Sequence, residues 1–296
     1  MKFSRTRANY TIAVLLLVGL TACTTTNRPD LGGMTFSSDP LLGKIVWHDL
    51  ITEDLDSARR FYAGLFGWTF EGSVGSRGED YVLARKGDII VAGILGIDPP
   101  GDGESYSRWL PYISVDDVDA AVARSTEAGA TVAVSARNVG LGRAAAIIDP
   151  QGAVIGLARS GIGDPDDATT AAAPGKPAWA ELVADDTKGA ASFYGTVAGY
   201  QADTIERRGG EYTFLLSDGV RRAGLFENPA DGEYGPVWLT TFSVQDPAIA
   251  AAKAEELGGK IILPVSPDLR DGTTAVVTDP AGAILVLRAW QPKGMK

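Results

Sequence analysis

The chemistry open to this chain rests on few side chains. Its 296 residues include one histidine, His48, and one cysteine, Cys23. A lone cysteine closes no internal disulfide and excludes multi-cysteine zinc and iron–sulfur sites. A lone histidine excludes any site that takes two histidine ligands from one chain. What remains is a pair of carboxylates in matched surroundings: Trp47-His48-Asp49-Leu50 recurs as Trp179-Ala180-Glu181-Leu182. A carboxylate set in an apolar surround has a raised pKa and can act as a general base, so Asp49 and Glu181 are the candidate catalytic groups. No nucleophile, triad or phosphate loop accompanies them. The formal net charge of −10 disfavours a nucleic-acid partner.

Cys23 points to an address rather than a reaction. Lys2, Arg5 and Arg7 precede an apolar stretch over 12–20, shorter than the ~20 residues of a membrane span. This is the layout of a secretory signal. Its end, Leu20-Thr21-Ala22-Cys23, resembles the bacterial lipobox, which implies cleavage before Cys23 and lipid on its thiol. Thr24, where Asp would mark inner-membrane retention, implies an outer-membrane anchor facing the periplasm. The expected organisation is a lipoprotein signal over 1–22 and a flexible Thr/Ser/Pro/Gly-rich tether over 23–43.

The elements that position the carboxylates follow from an internal repeat. Asp54 recurs as Asp186, Phe61-Tyr62 as Phe193-Tyr194, Gly67 as Gly199, and Trp109-Leu110 as Trp238-Leu239. Asp149-Pro150-x-Gly152 recurs as Asp279-Pro280-x-Gly282, all about 130 residues apart. A low-complexity linker over 162–176 separates domains over 44–161 and 177–291. Each domain divides again. A strand leads to an Asp that can cap a helix, a Gly that can end it, and three short strands. The pattern is βαβββ, four times over, an α+β fold.

The strand–Asp–helix pattern ending Phe-Tyr-x-x-x-x-Gly-[Trp/Tyr], with its Asp-Pro-x-Gly turn, resembles the vicinal oxygen chelate superfamily, also called the glyoxalase/bleomycin resistance protein/dioxygenase fold. The resemblance spans about residues 44–291. It implies that paired units form two half-open eight-stranded cups with helices outside and a ligand inside. It also implies a metal held by His, Gln or Glu on the first and last strands of each unit. The corresponding positions here are Trp47, Leu110, the stretch around Gly93 and Gly156 in the first cup. In the second they are Trp179, Leu239, the stretch around Gly224 and Val286. None carries a ligating side chain, so no metal or other cofactor is expected. His48 lies one residue out of this register, on the opposite strand face.

Counting by two from those positions gives the expected cup lining. In the first cup this includes Trp47, Asp49 and Tyr112, with Arg143 as a partner for Asp49. In the second it includes Trp179, Glu181, Thr241 and Arg288, with Arg288 as a partner for Glu181. Trp109 and Trp238 fall out of cup register and read as core. The acid-rich loops over 98–104, 164–167 and 228–233 read as solvated connections. An apolar, Trp-bearing cup suits a small organic ligand. Three readings stay open: a metal-independent binding protein at the membrane, a lyase, isomerase or dioxygenase-type enzyme built around Asp49 or Glu181, and a structural or interaction lipoprotein with filled cups.

Overall fold

The computed structural model describes residues 34–74, 80–99, 105–167, 172–207, 210–229 and 235–290. The leader, Cys23 and the start of the tether lie outside the described residues, as do parts of two acid-rich loops. Among the described residues, no helix is long and apolar enough to cross a membrane.

The first half runs β1 (Ile45–Thr52), α1 (Leu55–Phe66), β2 (Thr69–Val74), β3 (Asp80–Lys86), β4 (Ile89–Gly96), then β5 (Arg108–Ser114), α2 (Val118–Glu127), β6 (Thr131–Val139), β7 (Gly142–Ile148) and β8 (Val154–Ser160). The second half repeats it as β9 (Pro177–Ala184), α3 (Thr187–Ala198), β10 (Gln201–Arg207), β11 (Gly210–Ser217), β12 (Val220–Glu227), then β13 (Val237–Val244), α4 (Pro247–Glu256), β14 (Lys260–Leu263), β15 (Thr274–Thr278) and β16 (Ile284–Ala289). Each helix opens on an aspartate whose carboxylate accepts a first-turn backbone N–H: Asp54, Asp117, Asp186 and Asp246. Such caps each contribute about 1 kcal/mol. Gly67 and Gly199 end α1 and α3 in the left-handed region, where a Cβ would be strained.

Each half forms one eight-stranded sheet, ordered β2-β3-β4-β1-β5-β8-β7-β6 and β10-β11-β12-β9-β13-β16-β15-β14. The two βαβββ units of a half therefore meet along their first strands. The helices lie on the convex backs, and the backs face each other. One buried cluster joins Val118 and Ala121 of α2 to Phe193 and Tyr194 of α3. The other joins Phe61 and Tyr62 of α1 to Ala251 and Ala254 of α4.

The repeated motif residues stitch this seam. Tyr62 Oη donates to Asp279 Oδ2 at 3.1 Å and accepts from Trp109 Nε1 at 2.9 Å. Its counterpart Tyr194 donates to Asp149 Oδ2 at 2.9 Å and accepts from Trp238 Nε1 at 2.8 Å. Each helix tyrosine thus reaches the Asp-Pro turn of the other half. Burial pushes Asp279 up to about 6. Trp109 and Trp238 are core residues, 3% and 2% exposed.

The tether ends earlier than Gly43. Residues 34–43 are pinned to the start of the linker: Ser37 N donates to Asp164 O at 2.8 Å, and Leu41 N to Asp164 Oδ2 at 2.7 Å. Ser114 Oγ bonds the same Oδ2 at 2.6 Å. Asp164 is 1% exposed, so the expectation of a solvated linker fails at this residue. A buried carboxylate needs donors, and the strap supplies one.

Candidate functional site

Strand alternation decides which side chains enter each cup. On β1, Asp49 pairs with Gly93 of β4 and Leu110 of β5, and these share the concave face. Tyr112 on β5 pairs with Gly156 on β8 and lies on the same face. In the second half Glu181 pairs with Gly224 of β12 and Leu239 of β13, and Thr241 pairs with Val286 of β16.

The first cup is organised by Asp49. Its Oδ1 accepts from Trp47 Nε1 at 2.7 Å and from Tyr81 Oη at 2.9 Å, and Tyr112 also donates to the carboxylate. Burial pushes the Asp49 pKa up, while these donors and the nearby Arg137 charge pull it back. The cage needs the two glycines. A Cβ on Gly93 would stand 2.0 Å from Tyr81 Oη and 2.2 Å from Asp49 Oδ1. One on Gly156 would stand 2.1 Å from Tyr112 Cδ1. The family's metal positions are thus filled by side chains of neighbouring strands.

The second cup is organised by Glu181, 1% exposed. Its Oε1 accepts from Tyr212 Oη at 2.6 Å and from Arg270 Nη2 at 2.6 Å, and Arg288 Nη2 lies 3.5 Å away. Trp179 Nε1 donates to Tyr212 Oη at 3.1 Å, one step removed from the carboxylate. Gly224 again makes the room, since its Cβ would stand 1.9 Å from Tyr212 Oη. The floor is closed by Val183, Leu239 and Val286, with Phe226, Val237 and Ile284 packed on them. Thr241 and Thr274 are buried on this face, and among the described residues neither Oγ1 has a hydrogen-bond partner.

A cavity of about 530 Å³ opens at the mouth of this second cup. Its lining includes Ala178, Arg207, Arg270, Thr273, Arg288 and Trp290. Of the residues expected to line this cup, Arg288 borders the cavity; Trp179, Glu181 and Thr241 are not in its wall. Arg270 reaches inward from an unusual turn. Arg270, Asp271 and Gly272 have φ of 50, 55 and 76° in succession. Left-handed backbone costs a non-glycine residue about 1–2 kcal/mol, so this turn is held by its surroundings.

Two sequence expectations are corrected here. Arg143 does not face Asp49. It pairs with Arg159 across β7 and β8, opposite in parity to Gly156, and its guanidinium bonds Asp119 of α2 instead. His48 does lie on the back of its sheet, but it meets the other sheet rather than a helix: Nδ1 is 3.1 Å from Thr240 Oγ1. Burial pushes its imidazole down to about 3, so it is neutral at ordinary pH.

Sequence reasoning missed Tyr81, Tyr212, Arg137, Arg270 and Trp290. The tyrosines were findable. They recur at the repeat spacing, each one strand from a glycine in the expected metal register. Arg270 and Trp290 have no such signal, because neither has a matching residue in the first half.

The donor set does not fit the metal of this fold. The first cup offers Trp47, Leu110, Gly93 and Gly156, and the second Trp179, Leu239, Gly224 and Val286. Among the described residues no three His, Cys, Asp or Glu side chains gather closely enough to hold a metal ion.

A model of the Glyoxalase/Bleomycin resistance protein/Dioxygenase superfamily matches residues 44–157 and 176–287. The protein named "Putative glyoxylase CFP32" of Mycobacterium tuberculosis (strain CDC 1551 / Oshkosh) is 36% identical over 244 residues, 80% of this chain and 91% of that protein. The anthracycline biosynthesis protein DnrV of Streptomyces peucetius is 32% identical over 254 residues, 81% of this chain and 91% of that one. Among solved structures, 2,2',3-trihydroxybiphenyl 1,2-dioxygenase of Sphingomonas wittichii strain RW1 superposes with a TM-score of 0.56 at 15% identity, covering 86% of this chain and 93% of that one. The Mn(II)-bound glyoxalase of Novosphingobium aromaticivorans gives 0.52 at 16%, covering 85% and 83%. At such identities these structures speak for the fold alone.

Proposed function

This chain belongs to the glyoxalase/bleomycin resistance protein/dioxygenase superfamily, and from that premise we propose that it is a lipid-anchored protein of the bacterial envelope that binds a small, partly aromatic organic molecule without the family metal. The observation that carries the reading is the substitution of the metal positions. Gly93, Gly156 and Gly224 stand where ligating side chains are expected, and tyrosines occupy the space they leave. A site rebuilt in this way keeps a concave, aromatic surface with a few oriented polar groups, which is what small-molecule recognition needs. The anthracycline biosynthesis relative agrees with an aromatic ligand.

The anchor is read from Leu20-Thr21-Ala22-Cys23, and the outer membrane facing the periplasm is the proposed address. The test of the site is metal loading. The purified chain, incubated with excess Zn, Mn, Ni or Fe(II) and desalted, is expected to retain less than a tenth of an equivalent. Stoichiometric retention that depends on a cup residue sinks the reading. The test of the anchor is the Cys23→Ser variant, expected to move from the membrane fraction to the soluble fraction.

An enzymatic reading has one observation in its favour: burial holds the Asp49 pKa up, toward that of a base. It expects Asp49→Asn to abolish turnover of α-keto aldehydes, catechols or epoxides in a chain that still folds.

A further inference from the structure

We propose that the mouth of the second cup is a subsite for an aromatic carboxylate, with the ligand's carboxylate on Arg207 and Arg288 and its ring on Trp290. The proposal rests on the reading of this cup as a ligand site and narrows it to a charge type.

The charges at the mouth do not balance locally. Arg270 and Arg288 share a single oxygen of Glu181, at 2.6 and 3.5 Å. Each guanidinium carries five N–H donors, and these contacts use one donor of each. Arg207 adds a third cation. Its Cζ lies 4.2 Å from the Tyr212 ring centroid, and among the described residues it forms no ion pair. All three side chains line the same cavity. Asp268 and Asp271 also line it, but both are exposed and neither pairs with these arginines among the described residues. A carboxylate is the planar oxyanion that a guanidinium fork matches with two parallel hydrogen bonds.

The aromatic half of the ligand follows from Trp290, 38% exposed at the end of β16. Its backbone N is fixed to Val244 O at 2.6 Å, so the indole stands at the cavity edge on a rigid strand end. An indole face flanked by guanidinium groups takes a flat ring and its charged substituent together. The cavity, about 530 Å³, lies in the range of small-molecule sites. The left-handed turn at Arg270–Gly272 carries the Arg270 that bonds Glu181, and Arg270 and Arg288 both line the cavity.

The test is calorimetric titration of the full chain with anthraquinone-2-carboxylate and with its neutral carboxamide. The acid is expected to bind at least tenfold more tightly than the amide. Arg288→Met should bring the two within threefold of each other, and Arg207→Ala, at an exposed position that folding does not need, should reduce the preference in the same direction. Glu181→Gln removes the competing anion and should tighten the acid several-fold. Trp290→Ala should weaken both ligands alike. Equal binding of acid and amide by the wild-type chain overturns the carboxylate subsite and leaves the aromatic cup standing. Binding of neither overturns both.

Discussion

The two cups grow from one repeat, and they differ in what surrounds a buried carboxylate. Asp49 accepts from the neutral donors Trp47, Tyr81 and Tyr112, with the Arg137 charge nearby. Glu181 is bonded by Tyr212 and by charged donors from Arg270 and Arg288. The tyrosine and the glycine opposite it are common to both. The difference arises at the closing edge of the sheet. β6 has nine residues and pairs along β7, whereas β14 has four and stops early. The chain freed by the shorter strand arches over the second mouth and carries Arg270 in.

Removing each carboxylate is the harshest test of that contrast. Glu181→Ala leaves two guanidiniums without their partner and is expected to cost about 3–5 kcal/mol in urea unfolding. Asp49→Ala strands the donors of Trp47, Tyr81 and Tyr112, removes the charge facing Arg137, and should cost about 2 kcal/mol. Equal losses would show that charge does not separate the cups.

The seam offers a test in pH. Asp279 is raised to about 6, so the folded chain holds this proton more tightly than the unfolded one. Its contribution is complete below about pH 4 and is lost as pH rises through 6. His48, lowered to about 3, acts in the opposite sense: its contribution is present above 6.5 and is lost on acidification. Between pH 4 and 6 the two oppose each other. Relative to Asp279→Asn, the wild-type chain should lose about 2–3 kcal/mol of stability from pH 4 to pH 7. A parallel pair of curves would remove Asp279 from the account.

Smaller effects should follow the hydroxyls. Tyr81→Phe and Tyr212→Phe each remove one donor to a carboxylate and are expected to cost about 1–2 kcal/mol. Tyr212→Phe should be the larger, since Trp179 Nε1 also loses its acceptor. Smallest of all, Arg143→Ala breaks a half-exposed pair with Asp119 and the bonds to Asn138 Oδ1 and Ala136 O, and should lower the melting temperature only slightly while leaving ligand binding of both cups unchanged.

Much of the fold was legible because it depends on local rules. Aspartate caps, left-handed glycines and the helix period mark α1 to α4, and the repeat fixes the pairing of units. The site depends on register across strands, which no single segment contains. Arg143 illustrates this: its face is set by pairing with Arg159, not by its nearness in sequence to the cup residues. Arg270 illustrates the limit, since three consecutive left-handed residues, two of them not glycine, follow from no propensity.

The crossed Tyr62–Asp279 and Tyr194–Asp149 bonds have a consequence for how such a molecule can change. Each half completes the other's interior, as subunits of an obligate dimer do, with the two copies joined end to end. The halves should therefore melt as one body, and a domain over 44–161 expressed alone should seek a second copy of itself. The cup mouths lie on the far sides of the sheets from this seam. They are free to diverge, one closed over Asp49 by Tyr81 and Tyr112 and the other bordered by Arg207, Arg270 and Arg288, while the symmetric junction at the back stays the same.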